Sequence, residues 1–147
     1  MKNHSGKNKT VIAYNGYKSI LAKSFVKYYY KNFIFKKYSG DIRKTNKLKS
    51  WLIKNSDINV FINFAAITSN KTCENNKKKA LDVNYKSPIK LINLLNNTDM
   101  KNFRYFLSLS TSHVFKTSIF KLKENSTKKP MNYYGKQKGK STIYFSN

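Results

Sequence analysis

Apolar residues in this chain follow two rhythms that take turns. Short runs rich in β-branched and aromatic residues stand at residues 10–15 (Thr-Val-Ile-Ala-Tyr-Asn), Phe33-Ile34-Phe35, residues 58–66 (Ile-Asn-Val-Phe-Ile-Asn-Phe-Ala-Ala) and residues 103–110 (Phe-Arg-Tyr-Phe-Leu-Ser-Leu-Ser). Each reads as a strand, and the third is so nearly continuous that both its faces should be covered. Between the runs, apolar positions recur every three or four residues. Ile20, Leu21, Phe25, Val26 and Tyr29 predict an amphipathic helix over residues 18–30. Leu48, Trp51 and Leu52 predict another over residues 45–55. Residues 71–97 are mostly helical, with Ala80, Leu81, Val83, Ile89, Ile92 and Leu95 as the expected buried positions. Pro88 inside that stretch marks a kink or a fresh helix start. A long irregular loop over residues 116–132 leads to a last helix around Tyr134.

Strands that alternate with helices predict parallel βαβ units, hence an α/β fold with a doubly wound parallel sheet and right-handed crossovers. Ligands of such sheets bind outside the carboxyl ends of the strands. The places to inspect are therefore Asn15-Gly16, residues 36–41, residues 63–66 and Ser110-Thr111-Ser112.

Composition narrows the picture. The chain has 147 residues, enough for one domain with a core: residues 1–9 read as a basic, flexible N-terminus and residues 10–147 as the domain. No apolar run reaches the length of a membrane span, and residues 1–9 lack the apolar stretch of a secretory signal, so a cytoplasmic protein is expected. A single cysteine, Cys73, excludes an internal disulfide and reads as a bystander thiol. Thirty Lys and Arg against six Asp and Glu give a net charge of +24. The lysines are spread along the whole chain, and arginine appears only at Arg43 and Arg104. Nonspecific attraction to polyanions is expected rather than base-specific recognition.

The candidate chemistry gathers at the strand ends. Gly16, Ser19 and Ala22 set small residues at three-residue intervals between the first strand and its helix, where a dinucleotide pyrophosphate needs a tight turn and helix-terminal N–H groups. An ordinary strand-to-helix turn accounts for them equally. Lys36 and Lys37 follow the second strand with no acid before Asp41, which leans toward the 2′-phosphate of NADP over the ribose hydroxyl of NAD. Ala65 and Ala66 let backbone lie against a ligand, or simply pack the core. Thr111 stands where its hydroxyl reaches a substrate oxygen, though a lone threonine there is also a turn former. Tyr134 and Lys138 are four apart and share one helix face. An ammonium beside a phenol favours the phenolate and makes the tyrosine usable as an acid and base. The same spacing occurs at Tyr14 and Lys18, so in a lysine-rich chain it says little alone. His4 and His113 form no metal pattern, and the six acids form no catalytic pair.

Taken together, Val11 to Ala22, Gly40-Asp41-Ile42, residues 63–68 (Asn-Phe-Ala-Ala-Ile-Thr), residues 80–84 (Ala-Leu-Asp-Val-Asn), residues 110–115 (Ser-Thr-Ser-His-Val-Phe) and residues 130–138 (Pro-Met-Asn-Tyr-Tyr-Gly-Lys-Gln-Lys) resemble the extended short-chain dehydrogenase/reductase family. Within it they resemble the branch of dTDP-4-dehydrorhamnose reductases and nucleotide-sugar epimerases and dehydratases. The resemblance implies a Rossmann-like domain that binds NAD or NADP and acts on a nucleotide-activated sugar. It implies that Tyr134 is the general acid/base, that Lys138 lowers its pKa and holds the nicotinamide ribose, and that Thr111 bonds the same substrate oxygen. It further implies that Asn84 braces a helix near the site, that Asp41 and Ile42 flank the adenine, and that the Gly16 turn takes the pyrophosphate. Two departures stand out. The family's Gly-x-x-Gly-x-x-Gly/Ala is here Gly16, Ser19, Ala22, and family members continue past the Tyr-x-x-x-Lys helix into a substrate lobe, which is expected to be absent here. A non-catalytic dinucleotide-binding relic, or half of a split enzyme with a complementing chain or a homo-oligomeric partner, is the alternative expectation.

Overall fold

The computed structural model describes residues 9–116 and 121–145. Most of the basic N-terminus, residues 1–8, and residues 117–120 of the long loop lie outside the described residues.

Four parallel strands form one sheet in the order β2-β1-β3-β4: β1 is Val11–Asn15, β2 Ile34–Lys37, β3 Val60–Asn63 and β4 Tyr105–Ser108. The register aligns Asn15 with Asn63 and Asn63 with Ser108, so the carboxyl ends of β1, β3 and β4 finish level and carry a polar row. Helices α1 (Ile20–Tyr29) and α2 (Thr45–Ile53) connect the first three strands. The β3–β4 crossover holds α3 (Asn70–Asn75), α4 (Lys77–Leu81), a π-helical turn at Asp82–Lys86 and α5 (Ser87–Asn97). A 3₁₀ turn at Ser112–Val114 and helix α6 (Tyr133–Phe145) follow β4.

Two cores sandwich the sheet. On one face Val11, Ala13 and Phe61 meet Leu48 and Leu52 of α2 and Leu91 and Leu95 of α5. On the other, Ile12, Ile62 and Phe64 meet Ala22 of α1, flanked by the rings of Tyr14, Phe25, Phe33 and Phe35. Phe25 packs against Phe35 at 6.0 Å and Phe64 at 5.9 Å between ring centroids, so three elements share one aromatic cluster.

Several expected core positions are corrected. Ile20 and Leu21 are 84% and 54% exposed, and α1 buries Ala22 instead. The Ser19 cap starts the helix at Ile20, which turns the first two helical residues outward. In the long helical stretch Ala80 and Leu95 are buried, but Leu81, Val83, Ile89 and Ile92 are only half-buried and Leu91 is fully buried. The buried face runs through Ala80, Asn84, Ser87, Leu91 and Leu95 at helical spacing, and because two of these are polar a count of apolar residues alone misplaces it. Pro88 does mark a fresh start, lying in the first turn of α5.

Candidate active site

The site begins where β1 turns into α1. Gly16 has φ +62°, a conformation costly for residues with a Cβ, and an added Cβ would stand 2.6 Å from Ala65 N and Phe64 C. Backbone thus passes against backbone at the carboxyl ends of β1 and β3. Asn15 helps hold that approach, its Oδ1 accepting from Ala65 N–H at 3.1 Å. Ser19, in the place of a glycine, has an ordinary φ of −68°, and its Oγ accepts from Ala22 N–H at 3.2 Å. The hydroxyl turns back to cap α1. Ala22 is fully buried under the sheet.

A cleft of about 520 Å³ opens over this turn. Gly16, Ser19, Asp41, Ile42, Ala65 and Ala66, all expected from the sequence, line it together. Asn15, at a strand end marked for inspection, lines it too, as do Tyr17, Lys18, Arg43, Ile67 and Lys79, to which the sequence assigned no role. Lys37 stands beside it, its Nζ 4.9 Å from the centre of the Tyr17 ring. Asp41 is already engaged: Arg43 Nε lies 3.0 Å from Oδ1, and Arg43 N–H donates to the same oxygen at 2.9 Å. Those bonds hold the Asp41 carboxyl below the usual carboxylate range.

The cradle fits an anionic dinucleotide on three counts. A Cβ at Gly16 would close it, Lys18, Arg43 and Lys79 supply cations around it, and Asn15 Nδ2 is a buried donor with no partner among the described residues. Among those residues no cluster of His, Cys, Asp and Glu could hold a metal ion.

The loop after β3 joins this cleft to the last helix. Ile67 lines the cleft and also packs against Tyr134, Cys73 and Ala80. Its backbone is gripped by Asn84 in the π turn: Asn84 Oδ1 accepts from Ile67 N–H at 2.8 Å, and Nδ2 donates to Ile67 C=O at 2.9 Å. Nδ2 also donates to Gln137 Oε1 at 2.9 Å, and Ser141 Oγ donates to the Asn84 carbonyl at 2.9 Å. So Asn84 does not touch the cleft; it ties the loop to α6 from beneath. Gln137 escaped sequence reasoning because it fills an unspecified position of Tyr-x-x-x-Lys.

Tyr134 and Lys138 lie one turn apart on α6, 7% and 3% exposed. Thr111, at the end of β4, accepts from His113 N–H at 3.3 Å, which leaves its own O–H to donate. The Tyr134 phenol stands above its ordinary range because burial raises it, while the Thr111 hydroxyl pulls it down. Burial likewise lowers the Lys138 ammonium. In the free protein the lowering influence on the phenol is the Thr111 hydroxyl, and desolvation outweighs it. Thr111 and Tyr134 meet, and Thr111 also lines a second cleft of about 570 Å³ formed with residues 121–128 of the long loop, among them Leu122 and Lys128.

No helix among the described residues is long and apolar enough to cross a membrane. No curated protein matches the chain at a significant level. Among solved structures, a hypothetical dTDP-4-dehydrorhamnose reductase from Sulfolobus tokodaii is similar, with TM-score 0.81, 23% identity and 92% of this chain against 51% of that one. The dTDP-4-dehydrorhamnose reductase of Bacillus anthracis, solved with NADP, gives TM-score 0.84 and 16% identity over 97% of this chain and 51% of that one. The UDP-Glc/GlcNAc 4-epimerase of Campylobacter jejuni gives TM-score 0.80 and 16% identity over 93% and 48%. These likenesses establish the Rossmann-like fold, and the chain spans about half the length of the structures it matches. A family profile described as the RmlD substrate binding domain matches residues 18–142, and the chain belongs to that family.

Proposed function

We propose that this chain forms the dinucleotide-binding part of an NAD(P)-dependent reductase or epimerase acting on a nucleotide-activated sugar, in the manner of dTDP-4-dehydrorhamnose reductase. One observation carries the reading: Thr111 and Tyr134 meet hydroxyl to hydroxyl, with Lys138 one turn away, next to a cleft built on Gly16. NADP is favoured over NAD. No free acid follows β2, Lys37 stands by the cleft, and Asp41 is occupied by Arg43.

The nicotinamide supplies or takes up the hydride when bound. The chain's own residues manage position and protons. Gly16 and the α1 N-terminus receive the pyrophosphate, with Ala65 and Ala66 allowing close approach and Asp41 and Ile42 beside the adenine. Thr111 donates to the substrate oxygen, and Tyr134 gives its phenolic proton to that oxygen in reduction or removes it in oxidation. Lys138 holds the ribose and stabilises the phenolate once the buried site gathers both charges. A raised Tyr134 phenol in the free chain keeps that proton in place until substrate arrives.

The chain spans about half of the solved structures it matches, and a second reading assigns it dinucleotide binding alone, without turnover.

Titration with NADPH and NADH, followed by nicotinamide fluorescence, tests both readings. Saturable binding, tighter for NADPH, is expected, and no binding at millimolar cofactor would sink them. Where turnover of a dTDP-4-keto-sugar is measured, Tyr134→Phe should lower kcat by at least about 100-fold and leave cofactor affinity within about twofold. Binding without turnover selects the second reading.

A further inference from the structure

The turn carrying Thr111 and the helix carrying Tyr134 are joined by one side-chain amide, and its orientation is fixed. Asn132 precedes α6, and its carbonyl accepts from Lys136 N–H at 3.0 Å, which opens the helix. Gly135 N–H lies 2.7 Å from the Asn132 side chain. A backbone N–H only donates, so the amide oxygen Oδ1 must face it. The opposite end of the amide, Nδ2, is then a pure donor, and it lies 3.0 Å from His113 Nδ1. Turned over, the amide would set its NH₂ against the Gly135 N–H. His113 Nδ1 must therefore accept, and the neutral imidazole carries its proton on Nε2.

Everything around His113 strengthens the link. Its N–H bonds the Thr111 oxygen, and its ring meets the Tyr134 ring edge-on at 5.8 Å. A Cβ on Gly135 would run into its carbonyl oxygen, so α6 sits directly on the 3₁₀ turn. Glu74 of α3 steadies the same helix end by accepting from Tyr133 N–H at 2.9 Å.

We propose that Asn132 is a positioning residue: it caps the helix bearing Tyr134 and Lys138, grips His113 by Nδ1, and so sets the spacing of Tyr134 and Thr111 while holding the imidazole as its Nε2–H tautomer. The bearing on catalysis rests on the function proposed above; the tautomer does not.

Two variants separate the cap from the bridge. Asn132→Ser keeps an oxygen for Gly135 N–H, but its single, shorter hydroxyl does not span to His113 Nδ1 as well. Asn132→Asp keeps the cap and faces His113 with an acceptor, which demands the proton on Nδ1. Long-range ¹H–¹⁵N spectra of histidine-labelled protein, at a pH where the rings are neutral and with His113 assigned through His113→Gln, read the tautomer directly. The expected result is Nε2–H in the native chain, Nδ1–H in Asn132→Asp and a mixture in Asn132→Ser. An Nδ1–H native imidazole, or the same tautomer in all three proteins, overturns the proposal. Where turnover is measured, Asn132→Ser should lower kcat about tenfold with the KM for NADPH unchanged within about twofold. Asn132→Asp, which re-forms the bridge with donor and acceptor exchanged, should recover kcat to within about threefold of native. Equal kcat in both variants overturns the positioning role. A chain with no turnover at all counts against the function proposed above, while the tautomers still decide this proposal.

Discussion

Asn84 serves the site without entering it. Its fully buried side chain closes both backbone groups of the half-buried Ile67 and reaches the buried Gln137. Asn84→Ala strands those groups, and each buried polar group left unpaired costs about 1–3 kcal/mol. The variant should lose about 3 kcal/mol in urea unfolding, and a loss under about 1 kcal/mol would show that the loop finds other partners. Lys138 makes the opposite case. Burial lowers its ammonium, so its folded pKa lies below the unfolded value, and the charged form weakens the fold. Stability from this group is present above the unfolded pKa and is lost as pH falls through the folded one. Lys138→Met should therefore melt at a higher temperature than the native chain at neutral pH. That advantage should fade as pH rises toward the unfolded lysine value. Thermal melts at two pH values check the sign, and a destabilised Met variant at neutral pH would show that the ammonium's interactions outweigh its burial. Of these residues, Asn84 and Lys138 were legible through their motifs. Gln137 was not, because its burial depends on which face of α6 turns toward the π turn.

At the scale of elements, β1, the Gly16 turn and α1 form the unit most fully legible in the sequence. The β-rich run, the glycine and the small residues each answer a separate constraint: sheet pairing, positive φ with close approach, and packing beneath the helix. Gly16→Ala violates two of these at once. A left-handed φ costs about 1–2 kcal/mol for a residue with a Cβ, and the Ala65 and Phe64 backbone must also retreat. A loss of at least about 2 kcal/mol together with weakened NADPH binding is expected. Ser19→Gly restores the glycine of the family pattern, but it gives up only a cap, worth a few tenths of a kcal/mol against glycine. It should leave Tm within about 2 °C. If the two variants behaved alike in a thermal melt, backbone approach at Gly16 would not be the constraint. Legibility failed where a buried face is partly polar or where a cap sets the start of a helix. From Ala80 that face runs through Asn84, Ser87, Leu91 and Leu95, and an apolar count that passes over Asn84 and Ser87 settles on Ile89 and Ile92 instead. The start of α1 at Ile20, set by the Ser19 hydroxyl, similarly turned Ile20 and Leu21 outward although their spacing suited a buried face.

For the whole molecule, charge is the dominant long-range force. Thirty cationic side chains face six carboxylates. Four of the six, Asp41, Asp57, Glu74 and Asp82, are already in ion pairs with Arg43, Lys36, Lys77 and Lys86. Those pairs are exposed or half-exposed and contribute little stability each. The remaining excess of positive charge is drawn together when the chain folds and spreads apart when it unfolds, so repulsion works against the compact state. Screening relieves it: the Debye length shrinks from about 30 Å at 0.01 M salt to about 8 Å at 0.15 M. The protein's Tm should therefore rise by several degrees on going from about 0.01 to about 0.15 M sodium chloride, and then level off. A stronger apolar drive in salt would instead keep climbing toward molar concentration, so the shape of the curve identifies the cause. A flat or falling Tm over the first interval would refute self-repulsion. The same screening should act against the proposed cofactor, because an anionic dinucleotide gains from the cations around the Gly16 cleft that salt masks. Stability and NADPH affinity should then move in opposite directions over one salt titration. A ligand bound through uncharged contacts alone would not produce that crossing.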